Sequence, residues 1–164
     1  MMLDKRNFYI NGKWTPPTTP TDYEVIDPSN EEPFAIISLG DSTDTELAIQ
    51  AAKQSFVSWS KTSKEEKINL IQKLYEIYES RWDEMSQIIS REMGAPIDCA
   101  TEQQTATGAG HIKAFIKTLQ NFDFEKKFED QDSDNYISYE PIGVCALITP
   151  WNWPINQISL KVIP

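Results

Sequence analysis

The stretch Tyr139-Glu140-Pro141-Ile142-Gly143-Val144-Cys145-Ala146-Leu147-Ile148-Thr149-Pro150-Trp151-Asn152-Trp153-Pro154 decides the reading of this chain. Its middle is an apolar strand, Ile142 to Ile148, that stops at a proline. A near-continuous apolar run is expected of a strand buried on both faces of a parallel sheet. Pro154 then opens a helix, because proline in the first turn gives up no needed hydrogen bond. Asn152 lies in the turn between the two. In α/β proteins ligands bind at such turns, outside the carboxyl end of a strand. An asparagine amide there can donate to a developing oxyanion. Taken as an isolated Trp-Asn pair, the same residues also read as a buried strand with a helix cap.

Upstream, residues 7–40 read as short strands and turns. Asn11-Gly12, between Phe8-Tyr9-Ile10 and Lys13-Trp14, is a two-residue hairpin signal. Pro16, Pro17 and Pro20 interrupt pairing, and Phe34 to Leu39 forms a second strand closed by Gly40. A helical block follows. Thr43 with Glu46 has the spacing of a capping box, as has Ser63 with Glu66. The first helix carries Leu47, Ala48, Ala51, Ala52, Phe56 and Trp59 at helical spacing. The second carries Ile68, Ile71, Leu74, Tyr75 and Tyr78, and its pattern continues through Trp82, Met85, Ile88 and Ile89. A break is expected near Ser80, and Gly94 ends the run. Pro96 starts a third helix, expected from about Ile97 to Leu119 through Ala100, Ala106, Ile112, Phe115 and Ile116. Residues 121–135 are polar and mostly acidic, the pattern of a solvated connector. Tyr136-Ile137-Ser138-Tyr139 alternates as a strand.

Composition narrows the function. The 164 residues suffice for one domain. A net charge of -10 supplies no basic surface for nucleic acid or for an anionic membrane. No apolar run approaches the roughly 20 residues that span a bilayer, and the amino terminus lacks the apolar core of a signal peptide. Two cysteines provide no disulfide framework, which fits a cytoplasmic chain. No metal-ligand cluster is expected, since His111 is the one histidine and no Cys-x-x-Cys occurs. His111, within the third helix, reads as a surface or boundary residue. The aromatics Trp59, Tyr75, Tyr78 and Trp82 read as core by their helical spacing. Cys145 reads as a small packed hydrophobe in the strand, and Cys99 as a packed or idle thiol.

The string Pro141-Ile142-Gly143-Val144, followed by Pro150-Trp151-Asn152-Trp153-Pro154, resembles the NAD(P)-dependent aldehyde dehydrogenase superfamily. Phe8 to Trp14 resembles the first hairpin of those enzymes, Val25-Ile26-Asp27-Pro28-Ser29 the turn after it, and Ala48 to Trp59 their first long helix. The resemblance covers essentially the whole chain, but only the amino-terminal part of the family. It implies an α/β, Rossmann-type fold with amino-terminal strands, a helical block and the first strand of a parallel sheet. Residues 1–120 would form the hairpin and helical layer of a cofactor-binding domain. Residues 121–140 would form an acidic connector and an oligomerisation-type strand. Residues 141–164 would supply the first parallel strand, the Pro-Trp-Asn turn and the helix after it. The resemblance further implies oxidation of an aldehyde to a carboxylic acid with NAD or NADP, through a cysteine thioester, in a homo-oligomer. Asn152 would stabilise the oxyanion, and Ile148, Thr149, Pro150 and Trp151 would line the cofactor cleft. The family's cysteine nucleophile and glutamate base have no counterpart here, so the chain alone is expected to be inactive. The alternatives are a non-catalytic product of a truncated gene that keeps packing or assembly surfaces, and a free-standing helical interaction module.

Overall fold

The computed structural model describes residues 2–128 and 134–164. Its first layer is β-structure. Strand β1 (Leu3–Asp4) lies parallel to β5 (Glu32–Ser38), and β4 (Asp22–Asp27) lies antiparallel on the other side of β5. Strands β2 (Phe8–Ile10) and β3 (Lys13–Thr15) form a separate hairpin. Its turn is the expected one: Asn11 and Gly12 both have positive φ, 52° and 76°, which a right-twisted two-residue hairpin requires. No strand crosses the prolines between Thr15 and Asp22.

Helix α1 (Ser42–Trp59) begins two residues earlier than the Thr43–Glu46 pattern suggests. Asp41 is the cap: its carboxylate accepts from the Thr43 and Asp44 N–H groups, and Asp44 returns the bond to the Asp41 N–H. Asp44 also accepts from the Thr18 N–H and hydroxyl, both at 2.8 Å, so the proline-rich loop is pinned to this helix start. The apolar stripe expected on α1 is not a core face, since Leu47, Val57 and Trp59 are exposed. Trp59 instead stacks under the Lys67 ammonium, 5.6 Å from the ring centre.

Helices α2 (Lys64–Ser80) and α3 (Trp82–Met93) meet at Arg81, where the break is expected. Ser63 and Glu66 form their reciprocal cap, and Gly94 ends α3 with a left-handed φ of 78°. The expected third helix is not regular. A short α4 (Ile97–Cys99) runs into a π-helical stretch, Ala100–Thr105, before α5 (Ala106–Gln120). Polar side chains sit inside this stretch. Thr105 and Gln104 are buried, the Thr105 hydroxyl lies 3.0 Å from that of Ser86, and Tyr78 donates its hydroxyl to the Thr105 carbonyl at 2.8 Å.

Tyr75, Tyr78, Ala109 and Ile112 form one core cluster, and Ile89, Ala95 and Ala100 form another. Met85 and Ile155 pack against both. The β-layer is clamped to α3 by Arg91, which lies over the Phe34 ring at 4.6 Å and approaches Asp27 at 3.4 Å.

Two expectations for the carboxyl-terminal third are corrected. The acidic connector contains a strand: β6 (Glu125–Lys127) pairs antiparallel with β7 (Tyr136–Ser138). Phe122 stacks edge-on against Phe124 and Tyr139 at the base of this hairpin. The remainder of the connector, residues 129–133, lies outside the described residues. Residues 142–148, expected as the first parallel strand, make no ladder with any described strand. A strand is assigned only where a neighbour's N–H and C=O groups pair with it, and no described strand pairs with residues 142–148. Ile142 is 93% exposed and Ile148 86%. Cys145 is exposed too, not packed as the strand reading required.

Candidate functional site

The turn at residues 150–153 leads into α6 (Pro154–Val162). Pro154 occupies the first helical turn as expected, and Trp153 is the cap residue, without a side-chain capping bond. Asn152 is exposed, and among the described residues no hydrogen bond engages its side chain. Its amide is therefore free to meet a ligand. Ile148, Thr149, Pro150 and Trp151 are exposed on the approach to the same turn, Trp151 at 78%. An open hollow of about 640 Å³ lies elsewhere, between the sheet and α3, lined by Asp27, Phe34, Arg91 and Gly94 among others.

The position of the turn is set from its carboxyl-terminal side. Ile155 reaches both core clusters, Ser159 is buried, and Ile163 packs on the α2–α5 cluster. Ile155, Ser159 and Ile163 are four residues apart, so they share one face. Opposite that face, Gly108 lets α6 come close. A Cβ there would lie 2.9 Å from the Ile155 side chain and 2.5 Å from the Tyr78 hydroxyl oxygen. One turn further along α5, His111 Nε2 lies 2.7 Å from Asn156 Oδ1. With an amide oxygen as acceptor, the ring nitrogen carries the proton and donates.

Gly108 and His111 are the residues that sequence reasoning did not assign to the site. The signal for Gly108 was present in Thr107-Gly108-Ala109-Gly110, since glycine in a helix interior costs stability and marks a close approach. Nothing in the sequence pairs His111 with Asn156, 45 positions away. The two cysteines are not brought together as a reactive pair: Cys99 is half-buried at the end of α4, and Cys145 lies on the unpaired segment. Among the described residues, no group of three or more His, Cys, Asp or Glu gathers to hold a metal ion, and no helix is long and apolar enough to cross a membrane.

The sequence profile described as the aldehyde dehydrogenase family matches residues 14–164. A 3-succinoylsemialdehyde-pyridine dehydrogenase of a Pseudomonas species is 41% identical over 164 residues, which is 99% of this chain and 34% of that protein. A crystal structure of an aldehyde dehydrogenase from Bartonella henselae is 52% identical and superposes with a TM-score of 0.97, over 99% of this chain and 34% of the other. Aldehyde dehydrogenase C from Pseudomonas syringae, a mutant in complex with NAD+ and octanal, is 39% identical with a TM-score of 0.92, over 96% and 32%. The chain thus spans about a third of the length of the relatives it matches.

Proposed function

This chain belongs to the aldehyde dehydrogenase family, and from that membership we propose that it contributes the oxyanion side of an aldehyde-oxidising site. The overall change is aldehyde plus water plus NAD(P)+ giving carboxylic acid, NAD(P)H and a proton. A thiolate adds to the aldehyde carbon, and the carbonyl π electrons move to oxygen, giving an alkoxide. The nicotinamide supplies the hydride acceptor when it is bound. Water then cleaves the resulting thioester and releases the acid and the thiol, so one difficult step becomes two easier ones. Within this chain, Asn152 donates its side-chain N–H to the alkoxide. Ile148, Thr149, Pro150 and Trp151 provide one wall against the cofactor. The Pseudomonas syringae relative, with both NAD+ and an aldehyde bound, supports this assignment of partners.

The observation that carries the reading is the exposed, unengaged Asn152 amide at a turn anchored by α6. Neither Cys99 nor Cys145 is proposed as the nucleophile. The β6–β7 hairpin, with Phe128 and Tyr136 exposed, is proposed to meet a second copy of the chain. The two free thiols fit a cytoplasmic setting.

The test is Asn152→Ala in the complete protein that carries this segment, comparing kcat with cofactor Kd. The amide acts on charge that develops in the transition state, so kcat should fall about 10²–10³-fold while Kd barely moves. Small and equal effects on both would make Asn152 a helix-entry residue and no more.

A further inference from the structure

We propose that His111 is a positioning residue for Asn152: by holding Asn156 it fixes the first turn of α6, and with it the place where the Asn152 amide is presented. The inference rests on the reading of Asn152 given above and adds a residue from a different helix to that site.

The argument starts from what α6 lacks. Its cap residue, Trp153, makes no side-chain bond to the helix. Pro154 has no N–H to offer. The segment before the turn, residues 141–150, has no ladder partner, and Trp151 is largely exposed. Among the described residues, no strand pairing and no side-chain cap holds the approach to Asn152. Directional fixed points among the described residues lie on α5. Gly108 and His111 are three residues apart, so they lie on one face of α5. Ile155 packs against the first and Asn156 bonds to the second. Ile155 fixes how near α6 comes but, as a non-directional contact, leaves the helix able to rock and slide. The His111–Asn156 bond, at 2.7 Å and half-buried, removes that freedom. Asn156 is four residues past Asn152, so a pivot at Asn156 moves the amide directly. An oxyanion donor has to lie about 2.7–3.1 Å from the position of the charge, a tolerance that a rocking helix start does not meet.

The experiment compares His111→Ala, His111→Gln, Asn156→Ala, Asn152→Ala and the double variant His111→Ala/Asn152→Ala in the complete protein. His111→Ala and Asn156→Ala should each lower kcat about tenfold, the scale of one ordinary hydrogen bond, with cofactor Kd unchanged. Glutamine reaches as far as the imidazole Nε2 and also donates, so His111→Gln should recover most of the loss. Adding His111→Ala to Asn152→Ala should cost nothing more, because the tie acts only through that amide. Hydrogen exchange gives a readout apart from activity: the backbone amides of residues 151–157 should exchange faster in His111→Ala and return to normal in His111→Gln, with the middle of α5 unchanged. If Asn152→Ala lowers kcat but His111→Ala and Asn156→Ala do not, the positioning role is wrong and the Asn152 reading stands. If the His111 loss adds fully to that of Asn152, or glutamine rescues neither rate nor exchange, His111 is structural only and the inference is overturned. If Asn152→Ala leaves kcat intact, the reading beneath the inference fails first.

Discussion

Replacing Gly108 by alanine tests how α6 is seated. In an exposed helix interior that change stabilises by about 0.8–1 kcal/mol, because alanine loses less backbone entropy. Here the new Cβ would meet the Tyr78 hydroxyl oxygen at 2.5 Å, Tyr78 Cζ at 3.1 Å and Ile155 Cγ1 at 2.9 Å. The hydroxyl cannot simply swing away, because it is bonded to the buried Thr105 carbonyl at 2.8 Å. Displacing it costs that hydrogen bond, about 0.5–1.5 kcal/mol. Forcing Ile155 out of two core clusters is overpacking, at about 1–3 kcal/mol. The costs exceed the helix-propensity gain, and Gly108→Ala should destabilise by about 2 kcal/mol, or about 4–8 °C in Tm for a chain of this size. Gly110, two residues on in the same helix, has nothing within 4 Å of a Cβ. Gly110→Ala should therefore stabilise by about 0.5–1 kcal/mol. Urea unfolding followed by far-UV circular dichroism compares the two directly. If Gly108→Ala were as stable as Gly110→Ala, the close approach of Tyr78 and Ile155 to α5 would be refuted.

Other expectations follow from titrating groups and exposed surface. Bonds from the Thr18 N–H and then its hydroxyl hold the Asp44 carboxyl below the usual carboxylate range. The stability it gives is full above the unfolded value near about pH 4 and is lost as pH falls through the lowered folded value. The stability difference between the parent chain and Asp44→Asn should be flat above about pH 4 and shrink below it; a difference flat down to about pH 2 would contradict this. Burial pushes the Tyr78 hydroxyl up to about 12. Its stabilisation holds below the unfolded value of about 10 and should be lost, by up to about 1.4 kcal/mol per pH unit, as pH rises toward the folded value. Tyr78→Phe should remove that component of the alkaline slope in urea midpoints. Ile142, Val144, Leu147 and Ile148 are exposed together, so light scattering of the 164-residue chain should reveal concentration-dependent self-association; a monodisperse monomer at all concentrations would count against it. The same preparation should form no NADH from a panel of aldehydes, and turnover abolished by Cys99→Ala or Cys145→Ala would overturn that.

What could be read from the sequence was local. The hairpin at Asn11-Gly12, the Ser63–Glu66 cap, the stop at Gly94 and the Pro154 helix start each depend on a few adjacent residues, and each stands in the structure. The misses depend on distant partners. Strand β6 is Glu-Lys-Lys, with no apolar alternation, and is a strand only because β7 and the Phe122–Tyr139 stack hold it. The π stretch depends on Thr105 finding Ser86 and Tyr78 across the core. Helix α1 has a regular apolar stripe, but Leu47 and Trp59 on it stay exposed, so periodicity foretold the helix and not its burial. At the site, the string around Asn152 could be recognised, whereas what holds it in place could not.

That division has a consequence for how the turn works. Helix α6 has nine residues, short of the roughly 12–15 at which an isolated helix is even marginal in water. It is a helix because Ile155, Ser159 and Ile163 dock on α5 and its neighbours. On the proposal above, the direction in which Asn152 points depends on the α5–α6 contact as well as on the Pro-Trp-Asn string that marks it. Two chains could share that string and still differ in how sharply the amide is held, according to what stands at the positions of Gly108 and His111. A close helix approach permitted by a missing Cβ sets the distance, and one side-chain hydrogen bond sets the angle. Substitutions along this face of α5 should change kcat more than they change the affinity for either substrate.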